Sequence, residues 1–499
     1  MKTNLSIYLI ILLFPTSMMQ SCSKDDSEDF ASGGNSTKES LELHITDSTF
    51  IDPGAYSKYL YKEVIDGYDF LKCVTIENTL FQETMALLER QLSPAKARLD
   101  SLFTVETGSD DIRRCWQIES WSFSYPSKSA RGQDLMLSGR VTFPNNIVDG
   151  LPHQVSSLTL NMHHALPVMS VMPSQTVDMW TMRSLLNSAV IEPDGQGCGV
   201  NMDKDYYCTL SPDVLACQMA DCAMAALEIM KKRGVTLASD GQSIITSCAL
   251  GAAVPLAFTK YYETEASVSF RDAIKLSAAY TGFGPLDFAS TLRYYGEHPD
   301  FNAMLAKDFI CSLSAYSPEQ LGGFKAEDFI DDIFLNTMVT RGDDTITYYE
   351  AEARYFINVM GTEWLPNPRK LSCILADDMT SDEGTLDETN LKTRVLMDII
   401  KKGNDYSGWR PYIPIYIAHC RQDDAIPYGQ SRQLYERISR QGTNPNVKFI
   451  TINTPAGISH LSGITGIPVI HAVSILKYFI PAYLHEDPAL YLNNACQCE

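Results

Sequence analysis

SIITSCALGAAVPLAF (Ser243–Phe258) reads as a strand that runs through a tight turn directly into a helix. Ile244 and Ile245 are β-branched and favour extended backbone. The run Ala252–Phe258 continues with helical character. Between them lie Ser247, Cys248, Ala249, Leu250 and Gly251, small residues apart from Leu250. Small side chains at such a reversal give strand and helix room to pass closely.

The same alternation extends outward in both directions. Upstream, QIESWSFSYPS and DLMLSGRVTFP between Gln117 and Phe143 flank a Gly-containing polar turn and predict an antiparallel pair. SSLTLNMHH predicts another strand, MWTMRSLLNS a helix, AVIEPDGQGCG a strand and Gly-rich turn, and Val214–Lys232 a long helix. Downstream come the strand AIKLSAAYTGF, the strand YIPIYIAHC, a helix reaching Arg440 and the strand VKFITINTP. Strands alternating with helices predict an α/β protein, a mostly parallel central sheet with helices on both faces. The stretch from about 285 to 405 interrupts the alternation and predicts a helical cap insertion over the carboxyl edge of the sheet, the ligand side of such folds. Residues 41–115 read as a helical N-terminal extension, with apolar residues three and four apart between Asn78 and Leu102. The main domain is expected to span 116–499.

The N-terminus has its own logic. Lys2 precedes the apolar run Leu5–Phe14, too short to span a bilayer but suited to a secretory signal. Met19-Gln20-Ser21-Cys22 resembles the lipobox of bacterial lipoproteins, which implies a signal peptide over 1–21 and lipid attachment at Cys22. The acidic tract Ser23–Asp29 that follows resembles the surface-export tract of some Gram-negative lipoproteins, and 22–40 reads as a flexible tether. The expected location is the bacterial outer membrane or cell surface, with the lipid as the membrane contact.

A formal charge of −21 in 499 residues disfavours nucleic acid as a partner. Thirteen cysteines outside the cytoplasm could pair, with Cys208, Cys217 and Cys222 among the candidates. No Cys pair has the spacing of a zinc site, so no metal is expected. Gly195-Gln196-Gly197-Cys198-Gly199 lacks the spacing of a dinucleotide site, so no cofactor is expected either.

Three places could carry chemistry, in the chain order nucleophile, acid, histidine. The first is the turn at 247–251. The second is the loop after YIPIYIAHC, where Asp423 stands three residues before Ile426-Pro427. The third is TPAGISHLSG, with Gly457 and Gly463 three residues either side of His460. That order, with His163-His164 closing an earlier strand and TGFGPLDFASTLRYY opening the insertion, resembles the α/β-hydrolase superfamily, and within it bacterial secreted lipase/esterase-like serine hydrolases. The resemblance covers Gln117–Leu484 and implies a carboxylic-ester hydrolase with Asp423 as the acid and His460 as the base. It also implies an oxyanion hole from the backbone of Leu250 and of the loop at His164, where the family has glycine.

The pattern fails at its centre. Three frames fit the family's G-x-S-x-G turn, but only the frame with Ala249 at the tip places Gly251 where room is needed and a small residue, Ser247, at the first glycine. The nucleophile position then carries a methyl group. Loss of the nucleophile in a Ser/His/Asp site costs about 10⁶ in turnover. The expected function is therefore a catalytically impaired, hydrolase-derived surface lipoprotein that binds a small molecule, glycan or peptide under the cap. Two alternatives stand beside it: an active ester hydrolase using activated water or Cys248 with His460 and Asp423, and a structural or assembly subunit at the cell surface.

Overall fold

The computed structural model describes residues 45–50, 60–66, 117–144, 153–162, 172–175, 183–184, 187–202, 204–301, 303, 305–341, 344–355 and 370–452. In chain order the strands are β1 (Ile45–Phe50), β2 (Leu60–Asp66), β3 (Gln117–Lys128), β4 (Asp134–Pro144), β5 (His153–Asn161), β6 (Ser188–Pro193), β7 (Val235–Thr246), β8 (Leu276–Gly282), β9 (Met338–Arg341), β10 (Asp344–Thr347), β11 (Ile415–Cys420) and β12 (Val447–Ile452). All except β9 and β10 form one sheet in the order β1-β2-β3-β4-β6-β5-β7-β8-β11-β12. From β6 to β12 the neighbours are parallel, and the β1-to-β4 side is antiparallel, joined through β4 and β6. The parallel strands read as near-continuous apolar runs because they are buried on both faces: every residue of β6 is buried, as are all but one each of β8 and β11.

The main crossover helices are α1 (Pro212–Lys232), α2 (Val254–Thr264), the short α3 (Val268–Ile274) and, in the last crossover, Tyr428–Ile438. Helix α1 starts at a proline with Asp213 in its first turn and ends on Lys231 and Lys232, complementing its dipole at both ends. Leu215, Met219, Cys222, Ala226 and Met230 form its buried stripe, at the spacing one helix face requires. The steps β6→β7, β7→β8 and β11→β12 all move across the sheet in the same direction. Right-handed crossovers then put their helices on one face.

Two expectations are corrected. Residues 41–115 are not a separate helical extension where described: β1 and β2 pair with each other and β2 with β3, extending the sheet. Residues 60–66 lie opposite 117–123, so the free N–H and C=O groups along β3 are satisfied by a strand rather than by solvent. The predicted helix between Asn78 and Leu102 lies outside the described residues. The insertion at 285–405 is less helical than expected. It contains α4 (Phe288–Glu297), α5 (Ala306–Cys311), α6 (Asp332–Asn336), α7 (Tyr348–Tyr355) and α8 (Leu391–Gly403), but also the β9–β10 hairpin and several single 3₁₀ turns. The last-crossover helix is α9 (Tyr428–Ile438).

The insertion is seated on loops of the sheet domain. The Tyr295 hydroxyl donates to the carbonyl of Ala425 at 2.5 Å, and the Lys260 ammonium to that of Asp405 at 2.5 Å. Ser211 and Tyr316 share a hydrogen bond at the entry to α1. Burial drives the Tyr295 phenol well above its ordinary pKa, and the charges of Asp423 and Asp308 push it further, so it remains a donor.

Candidate functional site

Strand β7 ends at Thr246, and Ser247 is still held like a strand residue. Its N–H donates to the Tyr280 carbonyl at 3.2 Å, and its hydroxyl to the Met162 carbonyl at 2.7 Å. Cys248 follows in extended conformation, φ −153° and ψ 178°, and is 1% exposed. The chain then reverses at Ala249, whose φ is +50°. A residue with a β-carbon pays for that backbone region, so a non-glycine there marks a position the surroundings over-determine. The methyl of Ala249 is half-buried at the mouth of the turn. The turn closes with the N–H groups of Gly251 and Ala252 bonded to the carbonyls of Cys248 and Ala249, and α2 begins at Val254.

Leu250, the next residue, is buried, and its N–H has no hydrogen-bond partner among the described residues. A free amide directly after the reversal is what a developing oxyanion would use. The second candidate donor, at His164, lies outside the described residues, as do His163, His460 and Cys22.

The acid stands where strand β11 opens into its loop. Asp423 is buried, whereas Asp424 points to solvent. Oδ1 of Asp423 accepts from the N–H groups of Ala425 at 3.0 Å and Ile426 at 2.7 Å, an Asx-type turn that sets the carboxylate in the loop. Oδ2 faces His419 Nε2 at 3.3 Å.

Several residues that matter here escaped the motif reading. Gly284, just past β8, packs beneath the reversal. Gln430 on α9 uses its whole amide at the root of the cap: Oε1 accepts from the N–H groups of Leu286 at 3.0 Å and Asp287 at 2.9 Å, and Nε2 donates to the Gly284 carbonyl at 3.0 Å. Asp194, in the Gly-rich turn, has a structural task. One oxygen accepts from the Ser174 N–H at 2.9 Å and the other from the Ser138 hydroxyl. With Arg140 donating to the Pro173 carbonyl and Ser122 to that of Ser174, it anchors the chain that follows β5. The signal for Gln430 was a single amide three residues past Pro427, which no motif singles out.

No disulfide joins any of the eight cysteines among the described residues, so Cys208, Cys217 and Cys222 do not pair with one another. No described helix is long and apolar enough to cross a membrane.

No family profile matches this chain, and no curated protein does. Solved structures match well. A protein of Legionella pneumophila assigned as a hydrolase is 14% identical, with a TM-score of 0.55 over 80% of this chain and 94% of its own. A ligand-bound form of the rice cell wall degrading esterase LipA from Xanthomonas oryzae is 15% identical, with a TM-score of 0.55 over 78% of this chain and 93% of its own. The fold is that of the α/β-hydrolases.

Proposed function

We propose that this protein is a hydrolase-derived binding protein whose site, formed by the turn at Ala249 and the loop of Asp423, takes a small molecule, glycan or peptide under the cap without efficient turnover. One observation carries the reading: the left-handed residue of the strand–turn–helix is an alanine. A methyl group at that position can neither attack a carbonyl nor be activated by a base. The backbone strain of the turn is retained although the nucleophile it would present is missing. The unpaired Leu250 N–H and the buried Asp423 carboxylate support the reading, as groups that could orient a polar ligand.

The cysteine alternative has little support. Cys248 is extended and 1% exposed, which keeps its sulfur from a substrate. On the same reading the chain is carried to the cell surface by lipid at Cys22. Cys22→Ser should then abolish incorporation of a labelled fatty acid and release the protein from the membrane fraction.

The deciding experiment is labelling with a fluorophosphonate. The natural protein should remain unlabelled, and Ala249→Ser should become labelled and gain hydrolysis of short acyl esters. Stoichiometric labelling of the natural protein at any residue would overturn the reading.

A further inference from the structure

Asp423 uses only one oxygen on its own backbone. The other, Oδ2, lies 3.3 Å from Nε2 of His419, at the end of β11, four residues earlier. The His419 side chain is completely buried and lies between the rings of Phe283 and Tyr428, at centroid distances of 6.0 and 5.9 Å. The 3.3 Å approach is an ion-pair contact rather than a well-aligned hydrogen bond, since Nε2 makes no hydrogen bond among the described residues. Leaving a buried N–H unpaired costs roughly 1–3 kcal/mol, so closing this contact onto the carboxylate is favourable.

The opposite ring nitrogen continues the chain of contacts. Nδ1 lies 2.7 Å from Ser431 Oγ, and that oxygen accepts from Gln430 Nε2 at 2.7 Å. Since Ser431 receives a proton from Gln430, its own proton is directed at Nδ1. The imidazole proton then sits on Nε2, toward Asp423. Gln430 also binds Gly284, Leu286 and Asp287, so the line runs from the acid to the cap root without leaving the interior. Ser431 and His419 are both fully buried, which removes them as a second reactive site and leaves them a structural task.

We infer that His419 is a positioning residue for Asp423, set against its Oδ2 and tying the carboxylate through Ser431 and Gln430 to the cap root. This deepens the proposed function, since it rests on Asp423 belonging to the proposed site. It assigns the orientation of the acid to the folded chain itself, before any ligand arrives.

The test uses the full chain labelled with ¹⁵N-histidine. The His419 signals, identified by their loss in His419→Gln, should show a protonated Nε2 and an unprotonated Nδ1. Asp423→Asn should shift the Nε2 signal and Ser431→Ala the Nδ1 signal. A proton on Nδ1, or an Nε2 signal unmoved in Asp423→Asn, would overturn the inference. Amide exchange gives the second readout. His419→Gln, which keeps an N–H donor, should leave exchange at Ala425 and Ile426 within about twofold, while His419→Phe should raise it about tenfold or more. Equal exchange in the two variants also counts against the inference. No ligand enters either measurement, so failed ligand binding and failed positioning are distinguishable.

Discussion

Gly284 lies so close beneath the reversal at Ala249 that a β-carbon on it would sit 1.8 Å from the Ala249 carbonyl oxygen and 2.6 Å from the Ala252 methyl. Backbone cannot yield as a side-chain tip does. Gly284→Ala should therefore destabilise the protein by about 3 kcal/mol or more, beyond the usual range of surface substitutions. A urea midpoint within error of the natural protein would show that the turn can move.

Ala249 itself should tolerate loss of its methyl. A left-handed backbone costs a residue with a β-carbon roughly 1–2 kcal/mol, while glycine loses up to about 1 kcal/mol through the freedom of the unfolded chain. Ala249→Gly should thus be neutral or stabilising by up to about 1 kcal/mol, read as a rise in midpoint at constant m-value. A clear loss of stability would mean that the methyl packs against something that needs it.

The thiols separate by accessibility. Cys198, Cys208, Cys222, Cys248, Cys311 and Cys420 are buried, Cys373 is half-buried and Cys217 is exposed. Desolvation, with Asp213, Asp221 and Glu265 adding to it, pushes the Cys217 thiol up to about 11. Of these eight, Cys217 and Cys373 should be alkylated first in the folded protein, Cys217 slowly at neutral pH and faster as pH rises, because the thiolate is the reactive form. Mass-spectrometric mapping after iodoacetamide treatment checks this. Early modification of Cys248 would revive it as a nucleophile.

The cap and the segment that follows it should respond to acid. Hydrogen bonds from Thr389, Arg293 and Ser407 hold the carboxyls of Asp387, Glu388 and Asp405 below their ordinary pKa values. An acid depressed in the folded state contributes stability that is complete above its unfolded pKa and lost as pH falls through the folded one. These three contributions should be intact above about pH 5 and fade below about pH 4. Thermal unfolding recorded across that range should show a fall that shrinks in Asp387→Asn, and an unchanged pH dependence in that variant would contradict the assignment.

The parallel strands were legible because strands buried on both faces carry their signal in every residue, as in Ala189–Ile191 or Ile415–Ala418. The strands Ile45–Phe50 and Leu60–Asp66 were not. Leu60–Asp66 finds its place on the edge of β3, a partner about sixty residues away in sequence, and Ile45–Phe50 pairs on it in turn. Asp423 was legible as an acid in the loop after a strand, and so was its contrast with Asp424. The relation of His419 to Asp423 was not, although four residues separate them, because it depends on how the loop after β11 folds back on the strand end. Gln430 was hidden for the same reason, since its partners at 284–287 are close only in space.

The sequence by itself determined that a strand meets a helix through five mostly small residues, with the alternation of an α/β fold on both sides, since residue size and apolar patterning are local properties. Of the three frames for the turn it favoured Ala249, because only that frame puts Gly251 and Ser247 where small residues are needed. The tertiary structure alone decided how the left-handed backbone at Ala249 is held: Gly284 packs from below and Ser247 is bonded to Met162. Those contacts join distant segments, and no local pattern carries them.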